Sequence, residues 1–304
     1  MTKSSETPSS KRPSRSRNII AFVLVFISGL TIGLMMLVVY GSILDGQITS
    51  GSQGQGTGSA TSNLADIAGF EDAQIIGQYI AVSSSTDQAR AVNLRLAAEA
   101  INGIVVEPGA DFSFNQTVGD VANDQRYQIA PAVFEGEIVS ERGGGICQVS
   151  TVLYIAALHA KLRIVERHPH TTNVDYVAIG LDATVAYSVK DLVITNNRES
   201  PILITASAEG QSVKVEILGQ PSEDGVSVKV VSKLITFHGA GTPLPDDVEW
   251  DEDLLNSSFY IVESYQEIYN HGTKVDTIFL ARDIYLILNE SNPSMPDGNL
   301  EATK

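Results

Sequence analysis

The stretch GGGICQVSTVLYIAAL, Gly143 to Leu158, constrains this chain more than any other. Three successive glycines allow positive φ and let a neighbouring backbone or a ligand come close. The composition then reverses. From Ile146 to Leu158 there is no charge, glycine or proline, and apolar side chains at Val149, Val152, Leu153, Ala156 and Ala157 follow helical spacing. The pattern predicts a tight glycine turn feeding a buried helix, with the chain's single cysteine, Cys147, in the first turn. Free N–H groups and the positive end of the helix dipole favour a thiolate there and can stabilise an oxyanion. The ordinary alternative is a cysteine buried as a small hydrophobe. The glycine run weighs against it, because glycines before a helix cost unfolded-chain entropy and serve a backbone conformation or a ligand.

The chain opens on a polar tail, residues 1–18, with Lys3, Lys11, Arg12, Arg15 and Arg17 against a single acid, Glu6. Residues 19–41, IIAFVLVFISGLTIGLMMLVVYG, carry no charge, and about 20 residues suffice to cross a bilayer. This reads as a transmembrane helix that stays as an anchor, since the apolar region of a cleaved signal peptide is shorter, about 7 to 15 residues. Positive charge before the span places the N-terminus in the cytoplasm and the bulk of the chain outside the cell membrane. Residues 42–63 are rich in Gly, Ser, Thr and Gln and read as a flexible linker. Of 20 Lys+Arg and 36 Asp+Glu in the whole chain, nearly all the acids lie beyond the span. A domain so acidic, with no Lys/Arg cluster, is not a nucleic-acid binder. One cysteine in an exported chain means no internal disulfide.

Ser83 to Ile101 reads as a helix, with Ser85 and Gln88 as a capping box and Ala91, Leu94, Ala98 and Ile101 as its apolar stripe. Strand patterns follow at Ile104–Val106 and at Phe112 and Phe114, then a polar loop from Val118 to Ala132 and a short strand from Val133 to Val139. Beyond the central helix, Leu162–Val165 reads as a strand whose continuation, Glu166-Arg167-His168-Pro169-His170, is extended across the proline. Residues two apart then face the same way, so His168 and His170 present both imidazoles to one side. Alternation in ATVAYSV, LVITN, PILITASA and VKVEIL predicts antiparallel hairpins from Ala183 to Ile217. The fold class expected is α+β, with a few helices on a largely antiparallel sheet over residues 64–219. A β-rich C-terminal region, 220–290, and a disordered tail, 291–304, complete the chain.

Three ordered blocks carry a resemblance. AVNLRLAAEAINGIVVEPGADFSFNQTVG, GGGICQVSTVLYIAAL and ERHPHTTNVDYVAIGLDATVAYSVKDLVITNN resemble the VanW family, whose members carry a GGG-[IV]-CQ-V-S-T-T-L-[YF]-N-A-A-L stretch and then R-H-x-H and DATV. Val152 and Ile155 stand where the family commonly has threonine and asparagine, while Cys147 and Gln148 are retained. The resemblance implies a cell-wall protein connected with glycopeptide resistance, and acyl transfer on peptidoglycan stem peptides of L,D-transpeptidase type, without a cofactor.

A thiolate nucleophile needs a partner for its proton, usually histidine, and a third group to orient that partner. Of five histidines, His159 lies over three turns along the same helix, and His238 and His271 fall outside the resemblance. His168 and His170 match R-H-x-H, with His170 preferred because it opens the polar stretch Thr171-Thr172-Asn173. Asp182, in GLDATV, is either the orienting carboxylate or a substrate contact, or equally a turn aspartate after Gly180. Arg142 and Arg167 flank the two motifs and suit a substrate carboxylate, against the alternative of solvent-exposed arginines. Gly144, Gly145 and Gln148 are expected to meet substrate, with amides from Gly145 to Gln148 at the oxyanion. Tyr176 lines a cleft or sits in a half-buried strand. Two other classes stand beside acyl transfer. One is a non-catalytic wall-binding or assembly protein; the other is a zinc site of Cys147, His168 and His170, which lacks a fourth-ligand motif.

Overall fold

The computed structural model describes residues 70, 72–134, 137–221, 224–249, 252–287 and 300–302, all within the unit Ser59–Lys304. The basic tail, the apolar stretch 19–41 and the linker 42–63 lie outside the described residues. Among the described residues no helix is long and apolar enough to cross a membrane. The order of elements is β1 (Gln74–Val82), α1 (Gln88–Ile101), β2 (Ile104–Val106), β3 (Asp111–Ser113), α2 (Phe114–Val118), β4 (Ile129–Phe134), β5 (Glu137–Arg142) and α3 (Ile146–His159). There follow β6 (Arg163–Glu166), β7 (Val193–Thr195), β8 (Ile202–Glu209), β9 (Ser212–Gly219), β10 (Val226–His238), α4 (Glu252–Leu255), β11 (Phe259–Asn270), β12 (Thr273–Leu286) and β13 (Leu300–Ala302).

Every pairing between these strands is antiparallel. The strands form a sheet of order β1-β9-β8-β2, a second of order β12-β11-β10-β13, a three-stranded β3-β7-β6 and the hairpin β4-β5. The α+β expectation of few helices and antiparallel sheets is what the chain adopts.

Helix α3 is the centre. Every residue from Gln148 to His159 is buried, and the helix packs against β1, β9, β10, β6 and α1. β9 alternates so that Val213, Val215 and Ile217 join the same core as Leu153, Ile155 and Leu158, each such side chain contributing roughly 1.5–3 kcal/mol of burial. Close approach of β1 requires Gly77: a Cβ there would overlap Ala156 O and come within 2.6 Å of Ala160 N. The β-bulge between Ile75 and Gly77 lies at this contact.

The later strands enter this core too. Val228 and Val230 of β10 are part of it, and the Gln266 side-chain amide on β11 donates to Leu158 O at 2.5 Å, satisfying a carbonyl of the last helical turn. Leu300–Ala302, in the tail expected to be disordered, pairs with Val230–Ser232.

Several local expectations need correction. Helix α1 starts at Gln88, and its cap is Asp87, whose carboxylate accepts from Arg90 N at 2.7 Å. The Ser85 hydroxyl instead accepts from Asp87 N at 3.2 Å. Phe114 does not continue the strand: Ser113 Oγ accepts from Gln116 N at 3.1 Å and turns the chain into α2, which buries Phe114 completely. The loop from Val118 ends at β4, and the strand expected at Val133–Val139 is a hairpin. ATVAYSV forms only isolated bridges, His168 with Thr184 and Ala186 with Lys190. Its backbone is bonded instead to α3: Ala183 N donates to Thr151 Oγ1 at 2.9 Å, and Ala183 O accepts from Ser150 Oγ at 2.6 Å.

Candidate active site

The glycine turn delivers Cys147 by filling space from three sides. Gly143 and Gly145 take φ of +82° and +105°, a region side chains resist. Gly144 has no room for a Cβ, which would overlap Ala130 O and stand 2.7 Å from Pro131 O. The buried Asn93 of α1 clamps the turn, donating to Gln128 O at 2.9 Å and Gly144 O at 3.0 Å while its Oδ1 accepts from Gln128 N at 2.7 Å. Gly145 caps α3 without a side chain to accept the first N–H groups. Ile146 N closes on Gly143 O at 3.2 Å and Gln148 N on Gly145 O at 2.9 Å. Among the described residues the amides of Gly145 and Cys147 have no acceptor.

The half-buried thiol faces the stretch after Leu181. Its Sγ stands 3.5 Å from Thr184 Oγ1 and 3.6 Å from Val185 O, to which it can donate. His170 is its titratable neighbour. Burial alone would push the thiol up; hydrogen bonding and charge from His170, with the Thr184 hydroxyl, more than offset this and hold it below the usual thiol value. His170 is buried, and its Nδ1 lies 2.6 Å from Asp182 Oδ2, which leaves Nε2 to serve the sulfur. Burial pulls the imidazole down, but Asp182 and Cys147 raise it to about 9. The two shifts favour a thiolate–imidazolium pair, the active form of a cysteine nucleophile.

Asp182 is 1% exposed, and its charge survives because donors surround it. Oδ2 also accepts from His170 N at 2.6 Å, while Oδ1 accepts from the Tyr285 hydroxyl at 2.5 Å and Arg167 Nη2 at 3.4 Å. Burial would raise this carboxyl; His170, Arg167 and Tyr285 bring it below its usual range. The Arg167 side chain is only 6% exposed, Nε donating to Asp182 O at 2.6 Å and Nη1 to Asp283 Oδ2 at 2.5 Å, with its guanidinium 5.5 Å from the Tyr154 ring centroid. Burial opposes its charge, yet the surrounding anions hold it protonated.

The structure gathers Cys147, His170, Asp182 and Arg167 and separates the other candidates. His168 Nε2 pairs with Glu166 at 2.9 Å. The Arg142 side chain donates to Tyr127 O at 2.5 Å. Gln148 is fully buried: its amide donates to Ala81 O at 3.1 Å and Gln211 O at 2.8 Å, and its oxygen accepts from Arg90 at 2.8 Å. Among the described residues no group of three His, Cys, Asp or Glu is arranged to hold a metal.

Sequence reasoning missed Arg90, Thr184, Asp283 and Tyr285. Arg90 is nearly buried, lies with Cγ 2.7 Å from where a Gly145 Cβ would be, and stands 5.9 Å from the Tyr176 ring centroid. Its signal was a charge one position before the apolar stripe of α1. Tyr176 is half-buried at this rim, beside Asp175, which accepts from Ser83 Oγ at 3.0 Å and Ser84 N at 2.7 Å.

Comparison with known proteins bears on this region. Residues 89–218 match the family described as VanW like protein. The chain is 42% identical over 144 residues to the uncharacterized protein YoaR of Bacillus subtilis (strain 168), a match covering 47% of this chain and 48% of that protein. It is 32% identical over 138 residues to the vancomycin B-type resistance protein VanW of Enterococcus faecalis (strain ATCC 700802 / V583), covering 43% of this chain and 48% of that one. The chain spans about half the length of the curated relatives it matches. No solved structure matches it significantly. The Ala89–Gly219 resemblance thus coincides with the stretch that matches this family, which holds Cys147, His170 and Asp182.

Proposed function

We propose that the VanW-like domain of residues 89–218 belongs to a membrane-anchored, extracellular cell-wall protein connected with glycopeptide resistance, which transfers acyl groups between peptidoglycan stem peptides as an L,D-transpeptidase does. The observation that carries this reading is the file Cys147, His170, Asp182, with the imidazole fixed at 2.6 Å by a buried carboxylate and the thiol held below its usual value. The name of the Enterococcus relative, a vancomycin resistance protein, supports the cell-wall setting. The uncharged stretch at residues 19–41 supports the anchor.

In this mechanism the Cys147 thiolate adds to the carbonyl joining the third stem residue to D-alanine. The oxyanion forms beside the amides of Cys147 and Gly145, where the helix dipole adds positive potential. The imidazolium of His170 gives its proton to the departing nitrogen, D-alanine leaves, and a thioester remains on Cys147. A neighbouring stem's amine then attacks the thioester, His170 Nε2 takes the amine proton, and the thiolate departs. Asp182 keeps its charge throughout and fixes the tautomer. Arg167 acts on the protein's own carboxylates, Asp182 and Asp283.

The test is intact mass of the full-length protein after incubation with disaccharide-tetrapeptide, beside Cys147→Ala. The expected result is an adduct on the native chain with release of one D-alanine, absent from the variant. A folded native chain that forms no adduct and releases no D-alanine would replace this reading with a non-catalytic wall-binding one.

A further inference from the structure

Strand β12 lies outside residues 89–218, the part matched to the VanW family, yet two of its side chains enter the shell of Asp182. The alternation of β12 turns Asp283 and Tyr285 inward, and both are buried. The Tyr285 hydroxyl donates to Asp182 Oδ1 at 2.5 Å, the oxygen not facing His170. Asp283 accepts from Arg167 Nη1 at 2.5 Å, so Arg167 is shared between an aspartate of the VanW-like domain and one of the C-terminal sheet, with Nη2 3.4 Å from the Tyr285 hydroxyl. The strand is joined to the site by backbone as well, Leu286 N donating to Thr171 O at 2.8 Å next to His170.

A sheet that only packed on the domain would bury apolar residues here. Two buried polar side chains and a shared guanidinium are costly to desolvate unless fully paired, and they converge on one carboxylate. From this geometry we infer that the C-terminal sheet is part of the catalytic machinery: Tyr285 and Asp283 are positioning residues that set the charge of Asp182 and, through it, of the His170 imidazole. The inference rests on the thiol–imidazole reading above but not on the choice of substrate.

The two residues act with opposite sign. The Tyr285 hydroxyl presents its positive end to Asp182 and screens it from His170. Asp283 neutralises part of the Arg167 charge and so leaves Asp182 freer to hold an imidazolium. The other charged or titratable groups facing this chain of contacts are Tyr154 against Arg167, Tyr176 near Asp182 and Cys147, and Arg90 near Cys147. Of these, Tyr154 has Asp283 among its charged neighbours.

The experiment is the His170 titration in the full-length protein by NMR, assigned through its loss in His170→Asn, with the pH dependence of Cys147 alkylation alongside. Asp283→Asn is expected to move the His170 midpoint to lower pH, Tyr285→Phe to higher pH, and Asp283→Glu back toward the native value. Loosened packing would shift both isosteric variants the same way. Overlapping profiles, or shifts of one sign in both, would overturn the inference and leave β12 as packing alone. If Asp283→Asn does not fold, Tyr285→Phe decides by itself, an upward shift supporting the role and no shift ending it. A native His170 that titrates at its ordinary value would count against the thiolate–imidazolium pair itself, and therefore against both readings.

Discussion

At the start of α3, Gln148, Ser150 and Thr151 are buried and each commits its polar atoms to the backbone of another segment. At its end Ala156, Ala157 and Leu158 have no polar side-chain atoms, and Gly77 brings the backbone of β1 against Ala156 and Ala160. Both sets of residues lie in the buried run from Gln148 to His159, so burial does not distinguish them. The difference is directional. Side-chain hydrogen bonds fix the first turn in rotation as well as position, as a nucleophile requires, whereas Ala156, Ala157 and Leu158 at the far end are held by close packing, beside the contacts of His159 with Gln78 O and of Gln266 with Leu158 O.

Changes at the two ends should therefore separate reactivity from stability. The largest effect is expected from Cys147→Ala, which should abolish thiol alkylation and any covalent adduct while the half-buried site leaves the melting temperature nearly unchanged. Unaltered adduct formation would place the chemistry elsewhere. Asp182→Asn should come next, lowering D-alanine release by on the order of 10³–10⁴, the cost of the wrong tautomer in such an arrangement. A loss smaller than about tenfold would remove Asp182 from the mechanism.

At the other end, Gly77→Ala should cost about 3 kcal/mol in denaturant unfolding, because the new methyl meets backbone that cannot yield. The alkylation rate of the molecules that remain folded should be unaffected. Gln148→Ala is expected to cost roughly 2 kcal/mol by leaving two carbonyls and Arg90 short of partners. Unlike Gly77→Ala it should also slow alkylation, since α3 loses a tether one residue from the thiol. Equal alkylation in both variants would erase the distinction between the ends.

The smallest effect expected is a pH slope. The folded pKa of His170, about 9, lies above its ordinary 6.5. The stability it contributes is therefore complete below 6.5 and lost as pH rises through about 9. Denaturant midpoints should decline across that window in the native chain and decline less in His170→Asn; identical slopes would show that the imidazole is not charged in the fold.

The apolar end of α3 was legible because its spacing is local: Val152, Leu153, Ala156 and Ala157 state a helix without reference to any partner. The glycine run was legible for the same reason, and the motif match brought Cys147, His170 and Asp182 into view. His170 was preferred to His168 for the polar stretch that follows it, but that its orienting partner is Asp182 and not a residue of that stretch was not legible. Only Pro169 separates His168 from His170, and only the fold shows that one meets Glu166 and the other Asp182. The cap of α1 was misjudged because Ser85 and Asp87 both satisfy the local pattern. ATVAYSV alternates as a strand does, yet the backbone of Ala183 goes to side chains of α3 and the rest makes only isolated bridges, which no periodicity records. Asp283 and Tyr285 did leave a trace, an acid and a tyrosine two apart on one face of a strand. Their partners lie 116 and 103 residues away, beyond any local window.

That separation sets an order of events as the chain is made. Cys147, His170 and Asp182 emerge from the ribosome together, while Tyr285 follows the carboxylate it holds by 103 residues. A nascent or truncated chain thus has its sulfur and imidazole in hand but a carboxylate still missing one donor and an arginine still missing one acceptor. Completion of the shell around that carboxylate therefore waits for β12.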